Sequence, residues 1–167
     1  MTHQLTPWLI LNLTPGLGPI KQQALRSHFS SVEAIIHAPS HRLRACGLSP
    51  QMIKALHHPD YAKIDKALTW QEAQDQHIVT YDATNYPALL RQTHNPPPLL
   101  YVKGHLPTQL KSPLAIVGSR RPTPTGIKNS QDFAYSLAGA GMSIISGLAL
   151  GIDGAAHQGA LSAKGYT

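Results

Sequence analysis

Two stretches of this sequence combine small residues, hydroxyls and cations in the way that anion chemistry requires. The first is Val117-Gly118-Ser119-Arg120-Arg121-Pro122-Thr123-Pro124-Thr125-Gly126. Gly118 lets backbone come close to an anion, because no Cβ stands in the way. Ser119 and Thr123 bring hydroxyl donors. Arg120 brings a planar fork that matches phosphate oxygens, and Arg121 adds a second charge. The run lacks the Gly-Lys-Ser/Thr ending of a Walker A loop and the Gly-x-Gly-x-x-Gly of the dinucleotide fingerprint. A solvated loop with surface arginines is the competing account; consecutive arginines just after a strand favour an anion site. The second stretch is Ser146-Gly147-Leu148-Ala149-Leu150-Gly151-Ile152-Asp153-Gly154-Ala155-Ala156-His157. Gly147 and Gly151 again permit close backbone approach. Asp153 and His157 stand i,i+4 on the helix that follows, and with Ser119 or Ser146 they supply the residue types of a Ser-His-Asp set. No Gly-x-Ser-x-Gly elbow accompanies them. An Asp that caps a helix, with a His one turn on, is the commoner use of that spacing. Catalysis is therefore not expected here, and Asp153 is expected to cap its helix.

A third candidate is Pro15-Gly16-Leu17-Gly18-Pro19, between two helical patterns. It resembles a helix-hairpin-helix turn, which holds nucleic-acid backbone without reading sequence. A plain tight turn accounts for the same residues, and the nearby cations are only Lys21 and Arg26. Metal and disulfide chemistry find little support. Cys46 is the single cysteine, so a multi-Cys zinc site and an internal disulfide are excluded, and a reducing, cytoplasmic setting is the default. The 10 histidines show no metal spacing: His57 and His58 are adjacent, and no His-Glu-x-x-His occurs. No metal and no cofactor are expected. Histidines facing a polyanion would strengthen its binding below about pH 6.5.

The elements that must position these residues can be read from periodicity. Pro113 to Val117 is a short continuous apolar run, the pattern of a parallel strand buried on both faces. Gly118 to Thr125 is loop, and Ile127 to Leu137 is helical. Gly139-Ala140-Gly141 ends that helix, and Met142 to Ile145 reads as the next buried strand. Ser146 to Ile152 is loop, and Asp153 to Ala163 is helical. This β-loop-α-β-loop-α order begins a parallel, doubly wound sheet, so both glycine loops fall at the carboxyl ends of strands, where ligands bind. Tyr166-Thr167 reads as the start of a third strand. Upstream, helical patterns cover Leu5–Leu13 (Thr6 and Pro7 at its start), Ile20–Phe29, the segment after Ser30-Ser31, Ser49–Leu56 and Ile64–Asp75. His77–Tyr81 and Leu99–Gly104 are strand-like, with a short turn or helix at Tyr86–Leu90 between them. The expected domains are 1–75, helical, and 76–167, the first part of a sheet domain.

Composition bounds the remaining possibilities. The chain has 167 residues with 14 Lys+Arg against 8 Asp+Glu, a formal charge of +6. Charged residues are 13% of it, against about 25% in ordinary soluble domains. The excess positive charge thus comes from a shortage of acids, and no charge run suggests a disordered basic tail. Phe133 to Ile152 carries no charge, yet its four glycines and three serines argue for a helix end, a turn and a strand rather than a membrane span. No signal-peptide pattern is seen at the start.

Taken in order, these motifs resemble the DNA-processing protein DprA (Smf) family. The resemblance rests on Ile116 to Arg120 and on Ser146 to His157. It is extended by Tyr86-Pro87-Ala88-Leu89-Leu90, by Pro97 to Gly104 and by the Pro15-Gly16-Leu17-Gly18 hairpin. It implies an α/β protein: an N-terminal helical SAM or helix-hairpin-helix-like domain, then an extended Rossmann-like domain, here truncated because family members are about twice as long. It implies a non-enzymatic role: binding and protecting incoming single-stranded DNA in natural transformation, and loading RecA recombinase onto it. A homodimer is implied, with dimer and RecA surfaces expected past residue 167. The family's DNA pocket is matched at Gly118, Ser119 and Arg120, with Arg121 alongside, and at Ser146, Gly147, Ala149 and Gly151. Few aromatics stand near these loops, which leaves the stacking partner for bases unidentified. The alternatives are a Rossmann-type enzyme acting on small phosphorylated ligands and a pure protein-interaction module.

Overall fold

The computed structural model describes residues 2–105 and 110–167. They form two compact units, Met1–Pro107 and Thr108–Thr167. In the first unit α1 (Thr2–Leu13) runs through the core. Trp8, Leu9, Ile10 and Leu11 are consecutive and all buried, so the helix is apolar nearly all round. That burial explains why α1 begins ahead of Thr6 and carries Pro7 inside it. The proline forgoes one backbone bond and crowds the preceding turn, and packing outweighs the loss.

Around α1 lie α2 (Pro19–His28), α3 (Val32–Ile36), α4 (Ser40–Ala45), α5 (Pro50–His57) and α6 (Tyr61–Glu72). Three of them start on side-chain caps: Ser31 accepts from the Ala34 amide, Ser49 from Met52 and Asp60 from Lys63. Each satisfies an amide that the first turn leaves without a partner. The apolar face expected for α2 is partly inverted. Ile20 is 66% exposed, whereas Gln22 is buried and donates from Nε2 to the Leu17 carbonyl at 2.7 Å. The hairpin needs that donor more than the core needs the isoleucine.

Residue 76 opens an antiparallel hairpin, β1 (Gln76–Thr80) and β2 (Leu99–Lys103), with α7 (Ala88–Arg91) in the connection. Ile78 faces Tyr101, and Thr80 faces Leu99. Ile78 and Leu99 join the apolar cluster built by α1, α3, α5 and α6. The hairpin of residues 76–103 therefore packs with the helices, within the first unit.

The second unit comprises β3 (Leu114–Ala115), α8 (Pro124–Gly139), β4 (Ile144–Ile145) and α9 (Ile152–Ser162). The two strands pair in parallel, Leu114 with Ile144 and Ala115 with Ile145. The Tyr166 carbonyl accepts from the Ile144 amide at 2.9 Å, on the side of β4 away from β3. Successive right-handed crossovers put both helices on one face. Ala134, Ala138, Ile144, Ala156 and Ala160 form the core there. α9 meets α8 so closely that a Cβ on Gly159 would stand 2.3 Å from the Gln131 carbonyl oxygen. Burial on both faces of the strands, expected from their apolar runs, is not found: Val117 is 69% and Ile145 38% exposed. The unit's two helices lie on the same side, so neither covers the other face. No helix of the described residues is long and apolar enough to cross a membrane.

Candidate nucleic-acid interface

The two glycine loops leave the carboxyl ends of β3 and β4 and touch. The Ile152 amide donates to the Ser119 carbonyl at 3.1 Å. Gly151 has φ 90° and ψ −128°, a backbone region that side chains disfavour. A Cβ there would lie 2.3 Å from that same Ser119 oxygen. Leu148 adopts φ 55°, a left-handed conformation uncommon for a non-glycine residue. It turns the second loop outward and leaves Leu148 and Leu150 80% and 85% exposed.

The carboxylate of Asp153 holds the pair together. Its Oδ1 accepts from the Gly118 amide at 3.3 Å and its Oδ2 from the Gly147 amide at 3.1 Å. Asp153 is only 6% exposed. It does not cap α9, as its position at the helix start suggests; the cap residue is Gly151, with no side-chain bond. One residue inside the helix, the Asp153 side chain reaches sideways to both loops instead. The first turn of α9 also favours its negative charge.

Each residue expected at the site can be placed around this clasp. Gly118 and Gly147 spend their amides on Asp153. Ser119 accepts the Arg121 amide on its hydroxyl oxygen at 3.0 Å, which tightens the turn and leaves the hydroxyl proton to donate elsewhere. Ser146 donates inward to the Ile116 carbonyl at 2.6 Å. The Ala149 carbonyl accepts the Gly154 amide. Thr123 caps α8 by accepting from Gly126. Arg120 and Arg121 are exposed on the crest of the first loop. Among the described residues the ion pairs are Lys63–Asp60 and Lys128–Asp132, so neither arginine is neutralised by a carboxylate.

Asp153 and His157 do not form the pair that their spacing suggests. The Thr167 hydroxyl donates to the Ile144 carbonyl at 2.8 Å, so it must accept from His157 Nδ1 at 2.6 Å. That fixes the proton of the neutral ring on Nδ1. Arg26, one of the two cations near the hairpin Pro15–Pro19, is turned onto aromatic rings. Arg26 lies 4.0 Å over the Tyr81 ring and 5.7 Å from Trp8. Burial pulls its pKa below the ordinary value, while Tyr81, Tyr86 and Asp82 push it back up. Lys21 reaches the Met52 sulfur at 3.6 Å. No group of three or more His, Cys, Asp or Glu among the described residues is placed to hold a metal ion.

A helical unit joined to a parallel β-α-β-α unit, with paired glycine loops at the strand ends, defines a Rossmann-like protein with two exposed arginines on its loop crest. Residues 77–167 match the DNA recombination-mediator protein A family, and the chain belongs to that family. Protein Smf of Synechocystis sp. is 32% identical over 166 residues, 96% of this chain and 42% of that protein. Protein Smf of Escherichia coli is 39% identical over 104 residues, 62% of this chain and 28% of the relative. The X-ray structure of DNA processing protein A from Streptococcus pneumoniae superposes with a TM-score of 0.75 at 25% identity, covering 95% of this chain and 55% of that one. The resemblance read from the motifs is thereby borne out, as is the α/β fold with a helical domain ahead of a Rossmann-like sheet. The chain spans less than half the length of these two Smf relatives.

Proposed function

We propose that this chain is the DNA-contacting part of a non-enzymatic recombination mediator. It grips single-stranded DNA by its phosphates, protects it and presents it to a RecA-type recombinase in the cytoplasm. The observation that supports this most is the crest of the first loop: Arg120 and Arg121 exposed side by side on a backbone clasped from beneath by Asp153. Forked cations on a fixed loop suit phosphate oxygens. Contacts of this kind carry no base information, so sequence preference is low. Each phosphate neutralised adds about 0.7 to the slope of log affinity against log salt.

The test is fluorescence anisotropy with a labelled oligothymidylate of about twenty nucleotides, longer than the usual site of about 4–16. Arg120→Glu lowers affinity tenfold or more and flattens the salt slope, with the far-UV spectrum unchanged because the side chain is exposed. An unchanged affinity removes the loop from the site. Mononucleotide turnover lost on His157 substitution would point to an enzyme instead.

A further inference from the structure

The loops supply charge but no aromatic surface, and single-strand binding ordinarily uses both. The first unit carries the missing combination. On α6, Lys63, Lys66 and Trp70 fall at i, i+3 and i+7, within an arc of about 60° at 3.6 residues per turn. Asp65 and Glu72 lie about 130° and about 150° from the middle of that arc on the same helix. The helix thus separates its cations and its tryptophan from those two acids. β2 completes the surface. Tyr101 packs on Trp70 edge to face, with ring centroids 5.2 Å apart and planes at 75°. Lys103 follows two residues on, and so on the same face of the strand. Leu13, Lys63, Lys66, Ala67, Trp70 and Tyr101 line one groove of about 420 Å³.

We propose that this groove is a second contact for single-stranded nucleic acid, with Trp70 and Tyr101 stacking on bases and Lys66 and Lys103 meeting the flanking phosphates. The assignment rests on the reading of the chain as a single-strand binder. An edge-to-face pair covers at most one face of either ring, and Tyr101 is 46% exposed. Every base has a π-face, so such a platform tolerates any sequence. The one carboxylate paired within the patch is Asp60, on Lys63 at 3.1 Å, with both side chains more than half exposed. A pair so exposed opens at little cost.

Fluorescence reads the contact directly. Trp8 and Trp70 are the two tryptophans of the chain, so Trp8→Phe leaves Trp70 as the single reporter. In the full chain carrying that substitution, oligothymidylate quenches Trp70 emission over the same concentrations at which anisotropy reports binding. Lys66→Glu with Lys103→Glu weakens binding about tenfold and lowers the salt slope by more than 1. Trp70→Phe keeps the packing while changing the stack, and Trp70→Ala weakens binding about fivefold or more. If the strand binds while Trp70 emission and the lysine variants are silent, the groove is excluded and the loop site stands. If no strand binds, both fall. If polyglutamate quenches Trp70 as well as the oligonucleotide does, the surface is a dock for acidic protein and the proposal is wrong.

Discussion

Replacing Asp153 separates two physical accounts of the paired loops, because they predict opposite signs. Asp153 is a carboxylate beneath a crest proposed to hold phosphate. By Coulomb's law alone, its removal should help binding. At a separation of about 10 Å in water the repulsion relieved is about 0.4 kcal/mol, close to a twofold gain in affinity. The clasp predicts a loss. Bonds from amides to a charged acceptor contribute about 1.5–3 kcal/mol each. These two are long, at 3.3 and 3.1 Å, so the low end applies and the pair contributes about 3 kcal/mol. Gly118 and Gly147 are exposed and can turn to water, and the buried charge no longer needs desolvating. Both effects reduce the net cost of Asp153→Ala to about 2 kcal/mol. Asp153→Asn turns one acceptor oxygen into a donor facing an amide, and so loses one bond and adds a repulsion. Urea unfolding by far-UV circular dichroism gives the stability, and anisotropy with oligothymidylate gives the affinity. Both variants should unfold at lower urea and bind several-fold more weakly. A variant that is as stable as the parent within about 0.5 kcal/mol and binds more tightly would refute the clasp.

Two glycines of the second unit should respond to alanine in opposite directions. Gly159→Ala gains about 1 kcal/mol of helix propensity, but its Cβ meets the Gln131 carbonyl at 2.3 Å. Forcing α8 and α9 apart costs about 1–3 kcal/mol, so thermal unfolding should show net destabilisation. Gly139→Ala has open space around its Cβ and should stabilise by a few tenths to about 1 kcal/mol. In the first unit, Tyr86 donates to the Pro97 carbonyl at 2.8 Å. Burial pushes its pKa up, helped by Tyr81 and opposed by Arg26 and Arg91. A raised folded pKa means that the neutral hydroxyl contributes fully below the unfolded value and that this contribution fades as pH rises through the folded one. Tyr86→Phe should therefore cost about 1 kcal/mol near neutrality and lose less stability than the parent as pH rises above the ordinary tyrosine value of about 10.

The order of elements was legible wherever local chemistry decides it. Pro113 to Val117 and Met142 to Ile145 are apolar runs closed by glycine or serine loops, and each is followed by a helical pattern. Ser31 and Ser49 cap helices where their residue type says they should, whereas Thr123, read as a hydroxyl donor of the first loop, caps α8 instead. What escaped was decided by tertiary packing. In α4 only Leu43 is buried, so no periodicity marks it. Pro7 signals a helix start, and the surrounding core overrides the signal. Ile20 and Gln22 exchange roles because the Leu17 carbonyl needs a donor. Within the second unit both crossovers pass on one side of the sheet, which no single strand's composition records.

The same distinction applies to the candidate site. From sequence, glycines at 118 and 147 look like places where backbone can approach a phosphate. In the structure their amides do recognise an anion, but it is the carboxylate of Asp153, and 35 residues separate it from Gly118 in sequence. A Cβ at Gly118 would stand 2.8 Å from three Ile152 carbons, and one at Gly147 would stand 2.8 Å from Asp153 Oδ2. Glycine is thus needed at both positions by contacts within the chain, with or without a ligand. In the proposed site an incoming phosphate is left to the side chains of Ser119, Arg120 and Arg121. Charge changes at the arginines should consequently act on affinity and its salt dependence. Changes at the glycines should act first on folding, and on DNA only through the loss of a fixed crest.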